Sequence, residues 1–246
     1  MREVPIISVR GVSKSFGPVV ALHKVDFDLY KGEIVGLVGD NGAGKSTLIK
    51  IISGVFQPDE GEIYFEGKRV KIDSPTVARA LGIETVYQDL ALVEEMNVWR
   101  NLFLNREIIN GFGPFKLLKE KKMREEANFI IKSFGISLRD INSPIKSLSG
   151  GERQSVSVAR AFHFGAKVLI LDEPTSALSI KESEKVLNSI RIAKEKGLSV
   201  VFITHNIYHV YPVADRFVVL NKGKKIADVA KSNINIEGVY ELIKAE

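Results

Sequence analysis

Cysteine is absent from the 246 residues, which excludes a disulfide scaffold, a thiolate zinc site and cysteine catalysis. Apolar stretches such as Val168 to Leu171 fall far short of the ~18 residues needed to cross a bilayer. The opening Met1-Arg2-Glu3-Val4-Pro5 lacks the apolar run of a secretory signal. These absences lead to the expectation of a cytoplasmic, soluble chain. Glycine and proline are not in excess (20 and 8), and no repeat or low-complexity tract is visible, so a fibrous or disordered protein is excluded.

What is present is ordinary globular composition: 45% hydrophobic and 26% charged residues. The length favours one large domain, or one domain carrying a sizeable subdomain. Net charge is +5, from 35 basic and 30 acidic residues. The basic residues are scattered among Glu and Asp, as on a solvated surface, and no nucleic-acid partner is expected.

Two kinds of strand pattern occur. Val25-Asp26-Phe27-Asp28-Leu29 and the region of Ile63-Tyr64-Phe65 alternate apolar with polar, as half-buried antiparallel strands do. Ile34 to Val38, Val168 to Leu171 and Leu198 to Ile203 are continuously apolar, as strands of a parallel sheet covered on both faces are. Each of these three stops abruptly, at Gly39-Asp40-Asn41-Gly42, Asp172-Glu173-Pro174 and Thr204-His205. The carboxyl ends of parallel strands lie along one edge of the sheet, so the three polar endings should converge there. Helical spacing appears in 44–54, 119–134 and 182–194, and 217–229 reads as a hairpin turned at Asn221-Lys222-Gly223-Lys224. Residues 89–164 carry little strand signal, apart from a loop at Gly111-Phe112-Gly113-Pro114, and predict a mostly helical insertion. The expected organisation is a single domain over 1–246. An α/β core spans 1–88 and 165–246 and includes an antiparallel β subdomain, and a helical subdomain spans 89–164.

Gly39-Asp40-Asn41-Gly42-Ala43-Gly44-Lys45-Ser46 fits G-x-x-x-x-G-K-[ST] between a predicted strand and a predicted helix, the context a phosphate loop requires. Its glycines let backbone N–H groups wrap phosphates, Lys45 reaches the β- and γ-phosphates, and the Ser46 hydroxyl can hold Mg²⁺. Thr47 follows in the same turn. An acid at a buried strand tip suits Mg²⁺ too, which points to Asp172. Glu173, one residue on, is placed to take a proton from water. Alone, such an Asp-Glu pair is as often an exposed strand end. Ser149 and Glu152 form an S-x-x-E capping box, and Gly150 and Gly151 between them expose N–H groups to an anion. Many helices begin this way without binding anything.

Together, Gly39–Ser46, Gln88, Leu148–Glu152, Leu169–Pro174 and His205 resemble the ATP-binding domain of ABC transporters, with Leu148-Ser149-Gly150-Gly151-Glu152 as the specific element. Met96-Asn97-Val98, Asn101–Leu104, Ser149–Gln154 and Thr204-His205-Asn206 before His209-Val210 look most like the ATPases of bacterial monosaccharide importers. The resemblance implies a P-loop NTPase core and hydrolysis of ATP with Mg²⁺. It also implies an ATP-dependent head-to-tail homodimer in which Ser149, Gly150, Gly151 and Glu152 act in trans. The implied partners are integral membrane permease subunits and, indirectly, a periplasmic or extracellular sugar-binding protein, with the chain peripheral on the inner face of the membrane. It makes Gln88 a sensor of Mg²⁺ and attacking water, His205 a contact of the γ-phosphate, and Phe16 an adenine-stacking ring, a core phenylalanine being the alternative.

Two departures stand out. Ser179 replaces the usual aspartate after Ser176-Ala177-Leu178, and Phe16 replaces the commoner tyrosine. A groove near Gln88 and the helix containing Val98, Trp99 and Leu102 is expected to receive a membrane-subunit helix, with Trp99 either an anchor there or ordinary core. The rival readings are an ABC ATPase acting on nucleic acid or ribosomes and a non-hydrolytic binding module.

Overall fold

The computed structural model describes residues 4–111 and 117–244. The chain opens with β1 (Ile7–Phe16) and β2 (Val19–Leu29), then β3 (Ile34–Val38), α1 (Lys45–Ile52), β4 (Glu60–Phe65), β5 (Lys68–Val70), α2 (Pro75–Ala80) and β6 (Ile83–Val86). Next come α3 (Val98–Phe103), β7 (Ile109–Asn110), β8 (Leu117–Leu118), α4 (Glu120–Ser133) and α5 (Gly150–His163). The last part holds β9 (Val168–Asp172), α6 (Ile180–Glu195), β10 (Ser199–Thr204), α7 (Ile207–Val210), β11 (Arg216–Asn221), β12 (Lys224–Ala230) and α8 (Ile236–Lys244).

Two main sheets result. An antiparallel one runs β2-β1-β4-β5; a six-stranded one runs β12-β11-β3-β10-β9-β6, parallel except for the β11–β12 hairpin at its edge. The unbroken apolar character of the central strands has a direct cause. Ile34, Val38, Leu169, Leu171, Val200 and Phe202 enter the core on one face of the sheet, while Val35, Leu37, Val168, Ile170, Val201 and Ile203 enter the core on the other. Alternate side chains point to opposite faces of a strand, so both parities must be apolar when both faces are covered. Arg216 ties the two sheets together, donating to the Asp28 carbonyl (2.7 Å) in β2 and to Glu33 (2.7 Å) ahead of β3.

Between β6 and β9 the structure holds α3, α4 and α5, together with a short ribbon pairing Ile109 with Leu118 and Asn110 with Leu117. Two-residue strands leave no periodicity in a sequence, and this ribbon was not foreseen. Of the anticipated loop beside it, residues 112–114 lie outside the described residues. Parallel pairing sets Thr204 beside Val38 and Asp172 beside Ile203. The ends of β3, β9 and β10 are therefore neighbours, as the abrupt endings led one to expect.

Candidate phosphate-transfer site

The loop from Gly39 to Gly44 leaves β3 and enters α1 through left-handed glycines, Gly39 at φ 148°, Gly42 at 82° and Gly44 at 102°. Side chains are excluded at two of them. A Cβ on Gly39 would stand 2.1 Å from the Leu220 carbonyl oxygen, and one on Gly44 would stand 2.7 Å from that of Ala21. The first turn of α1 has no side-chain cap, in contrast to α2, α5, α6 and α7, so its N–H groups remain available to an anion. Asp40, Asn41, Gly42 and Ser46 are exposed around this cradle, Thr47 is half-buried, and Gly39 and Ala43 are buried beneath it.

The Lys45 ammonium is buried and donates to the carbonyls of Gly39 (2.6 Å) and Asp40 (2.9 Å). Burial lowers its pKa, against the opposing pull of Glu173, Asp40 and Asp172. Burial likewise raises the Asp172 carboxyl, and the neighbouring Glu173 adds to the shift while Lys50 and Lys45 oppose it. A cation placed here would relieve that charge. The carboxylate oxygens of Asp172 are hard donors, of the kind that suits Mg²⁺.

Glu173 is held unusually firmly. Its backbone is left-handed (φ 51°), and its N–H donates to the Ile203 carbonyl (3.0 Å). One carboxylate oxygen accepts the His205 backbone N–H (3.0 Å) and lies 2.7 Å from the imidazole Nδ1. The other accepts the Thr204 hydroxyl (3.1 Å). Sequence reading named Thr204 only as part of a polar strand ending and gave it no role; its position at the carboxyl end of β10 was the available signal.

Gln88 is exposed and shares with Glu173 a groove of about 320 Å³, also lined by Leu90, Gly150, Arg153 and Leu178. Val98, Trp99 and Leu102 do not line it. All three are fully buried, and Trp99 has the guanidinium groups of Arg124 (4.7 Å) and Arg100 (5.1 Å) over its ring. Of the two readings of Trp99, anchor or ordinary core, its burial supports the core. The apolar spacing of α3 turns this residue inward, beneath α4. Phe16, by contrast, is 42% exposed and packs edge-on against Phe56 at 5.1 Å, so it is a surface ring.

At the start of α5 the capping box is formed in full. Ser149 Oγ accepts the Glu152 N–H (3.3 Å), and the Glu152 carboxylate accepts the Ser149 N–H (2.9 Å). Burial works to raise the Glu152 carboxyl, but hydrogen bonds from Ser149 and the charge of Lys185 hold it below the ordinary carboxylate range. Ser179 caps α6 in the same way, with Glu182 as its partner. A second residue missed from sequence appears here: the Glu182 carboxyl is held below the ordinary carboxylate range, chiefly by its hydrogen bonds with Ser179 and to a lesser degree by the nearby backbone of Gly151 and Gly150.

Fold and site together define a P-loop NTPase core, with phosphate loop, acidic strand tip and histidine on adjacent parallel strands. The sequence matches the family described as ABC transporter over residues 22–176. It is 51% identical to the xylose/arabinose import ATP-binding protein XylG of Sulfolobus acidocaldarius, across 97% of this chain and 93% of that protein. Identity is 48% to the fructose import ATP-binding protein FrcA of Rhizobium meliloti, across 92% and 88%. Among solved structures, a nucleotide-free ATP-binding cassette from an ABC transporter superposes with TM-score 0.82 at 26% identity, covering 98% of this chain and 96% of that one. A dimeric ATP-binding cassette bound to ADP and Pi, described as a post-hydrolysis state, superposes with TM-score 0.74 at 25% identity, across 92% and 98%. The chain belongs to the ABC transporter family, of which it is an ABC ATPase domain.

Proposed function

We propose that this protein hydrolyses ATP to energise uptake of a monosaccharide through integral membrane permease subunits, from a peripheral position on the inner face of the membrane. A periplasmic or extracellular sugar-binding protein would deliver the cargo. The reading is carried by one observation: Asp172 and the Glu173–His205 pair stand at the ends of strands beside the one that leads into the phosphate loop and Lys45. The names of the xylose/arabinose and fructose relatives support the cargo. In this reading residues 1–88 and 165–246 form the ATP-binding core and 89–164 the helical subdomain.

Gly39 to Ser46 and Thr47 hold the phosphates, Lys45 neutralises their charge, and Phe16 stacks on the adenine. Ser46, Gln88 and Asp172 would hold Mg²⁺, which would supply further charge neutralisation. Glu173 orients the attacking water and takes its proton, and His205 turns from Glu173 to contact the γ-phosphate. Ser149, Gly150, Gly151 and Glu152 close the site of a second copy, so ATP binding drives dimerisation. The groove beside Gln88 takes a cytoplasmic helix of the membrane subunit, coupling ATP occupancy to the permease.

Two measurements test this. The purified chain should release phosphate from ATP in a Mg²⁺-dependent manner. With its membrane subunits and a sugar-binding protein in proteoliposomes, it should drive uptake of labelled xylose, arabinose, fructose or ribose. Phosphate release with no uptake of any of these sugars overturns the cargo, and absence of hydrolysis in both settings overturns the whole reading.

A further inference from the structure

We propose that Thr204 is a positioning residue for Glu173, acting through a hydroxyl whose direction is set by the turn that follows it. The inference rests on Glu173 acting on water, as proposed above.

The polarity of the contact follows from a proton count. The Asn206 backbone N–H can only donate, and it points at Thr204 Oγ1 from 3.0 Å. Its approach uses a lone pair of the hydroxyl and leaves the hydroxyl proton for Glu173 Oε2 at 3.1 Å. Asn206 is itself fixed. Its Oδ1 accepts the Tyr208 N–H (3.1 Å), which turns its Nδ2 toward His209 Nε2 (3.3 Å). A donor on that side makes Nε2 the acceptor and places the ring proton on Nδ1, 2.9 Å from the Thr175 hydroxyl. A closed chain of bonds thus joins the turn after β10 to the turn after β9.

Burial separates the two side chains that hold Glu173, whose Oε1 also accepts the His205 backbone N–H. Thr204 is fully buried and cannot exchange its partner for water. The His205 side chain is 51% exposed and can leave the carboxylate to meet another group. Each holds a different carboxylate oxygen. When His205 turns away, Thr204 keeps its grip on Oε2, so the carboxylate retains its aim toward water. The left-handed backbone of Glu173 agrees with this, since such a conformation in a non-glycine residue persists where its surroundings over-determine it.

The test compares Thr204→Val, which removes only the hydroxyl at nearly constant shape, with Thr204→Ser, which restores it. Both are measured in the full chain for kcat, KM for ATP, equilibrium nucleotide binding and melting temperature. Thr204→Val should lower kcat by about 10- to 100-fold, the order expected when a reacting group is misaimed, while KM and nucleotide affinity move less than ~3-fold. Thr204→Ser should recover most of kcat. In a Glu173→Gln background Thr204→Val should cause no further loss, because both changes disable one unit. Turnover of Thr204→Val within twofold of wild type overturns the proposal, as does an equal loss in the Val and Ser variants that tracks melting temperature. If the Val variant does not fold, Thr204→Ala is judged by the same criteria, and a crystal structure of it with Glu173 unmoved counts against the role. Undiminished turnover in Glu173→Gln alone would instead remove Glu173 from the reaction.

Discussion

Gly151 approaches Glu182 so closely that a Cβ on it would stand 2.8 Å from the Glu182 carbonyl oxygen, and 3.0 Å from the Glu182 Cβ. Gly151 therefore has an in-chain reason to be glycine, the close packing of α5 on α6, besides any anion it binds. A carboxylate introduced at Gly151 would disturb that packing along with the site. Ser149→Asp is the cleaner lesion, since aspartate is also an accepted N-cap.

If Ser149 acts in trans, Lys45→Ala and Ser149→Asp chains should each be inactive alone and regain hydrolysis when mixed. A mixed dimer has one doubly damaged site and one intact site. Recovery should be partial, with about half the dimers mixed under random pairing. The check is phosphate release after subunit exchange confirmed by a tag-based pull-down. Exchange without recovery counts against the trans assignment. So does activity beyond the wild-type homodimer fraction when a doubly mutated chain is mixed with wild type.

Glu173→Gln keeps the shape of the side chain and loses the basic oxygen. Turnover should fall by roughly 10²- to 10⁴-fold, the usual contribution of a general base, with nucleotide binding retained. The variant should accumulate as a dimer in saturating ATP, which gel filtration would report. A monomer under those conditions speaks against dimerisation driven by ATP.

Asp172→Asn should raise the melting temperature of the nucleotide-free chain at neutral pH while abolishing Mg²⁺-dependent turnover. The sign follows from linkage. A carboxyl whose folded pKa is raised, here by burial and then by Glu173, binds its proton more tightly folded than unfolded. The wild type is therefore penalised increasingly as pH rises through the unfolded and then the folded pKa, and the whole penalty is present above both. Asparagine never carries that charge. The gain should vanish toward low pH, and thermal melts across pH would show whether it does.

Trp99→Ala should destabilise the chain by about 3–5 kcal/mol, the range for deleting a large buried aromatic side chain. Trp99 is fully buried, beneath Arg100 and Arg124. Denaturant unfolding of the isolated chain reads this directly. A variant of unchanged stability that nevertheless failed to couple to its membrane subunits would return Trp99 to the docking surface.

The elements whose signals lie in neighbouring residues were legible from sequence alone. The three apolar strands are so because each must satisfy two covered faces, and the phosphate loop because its spacing sits between a strand and a helix. The cap at Ser149 was set by a residue three positions on. Tertiary structure alone decided what depends on partners distant in the chain. Thr204 meets Glu173 across 31 positions, Gly151 meets Glu182 across the α5–α6 contact, and Trp99 turned out to be covered rather than displayed. Local propensity acts over a few residues. Which hydroxyl finds which carboxylate is settled only when two strands pair in register, and which face of a short helix is buried only when its neighbours pack.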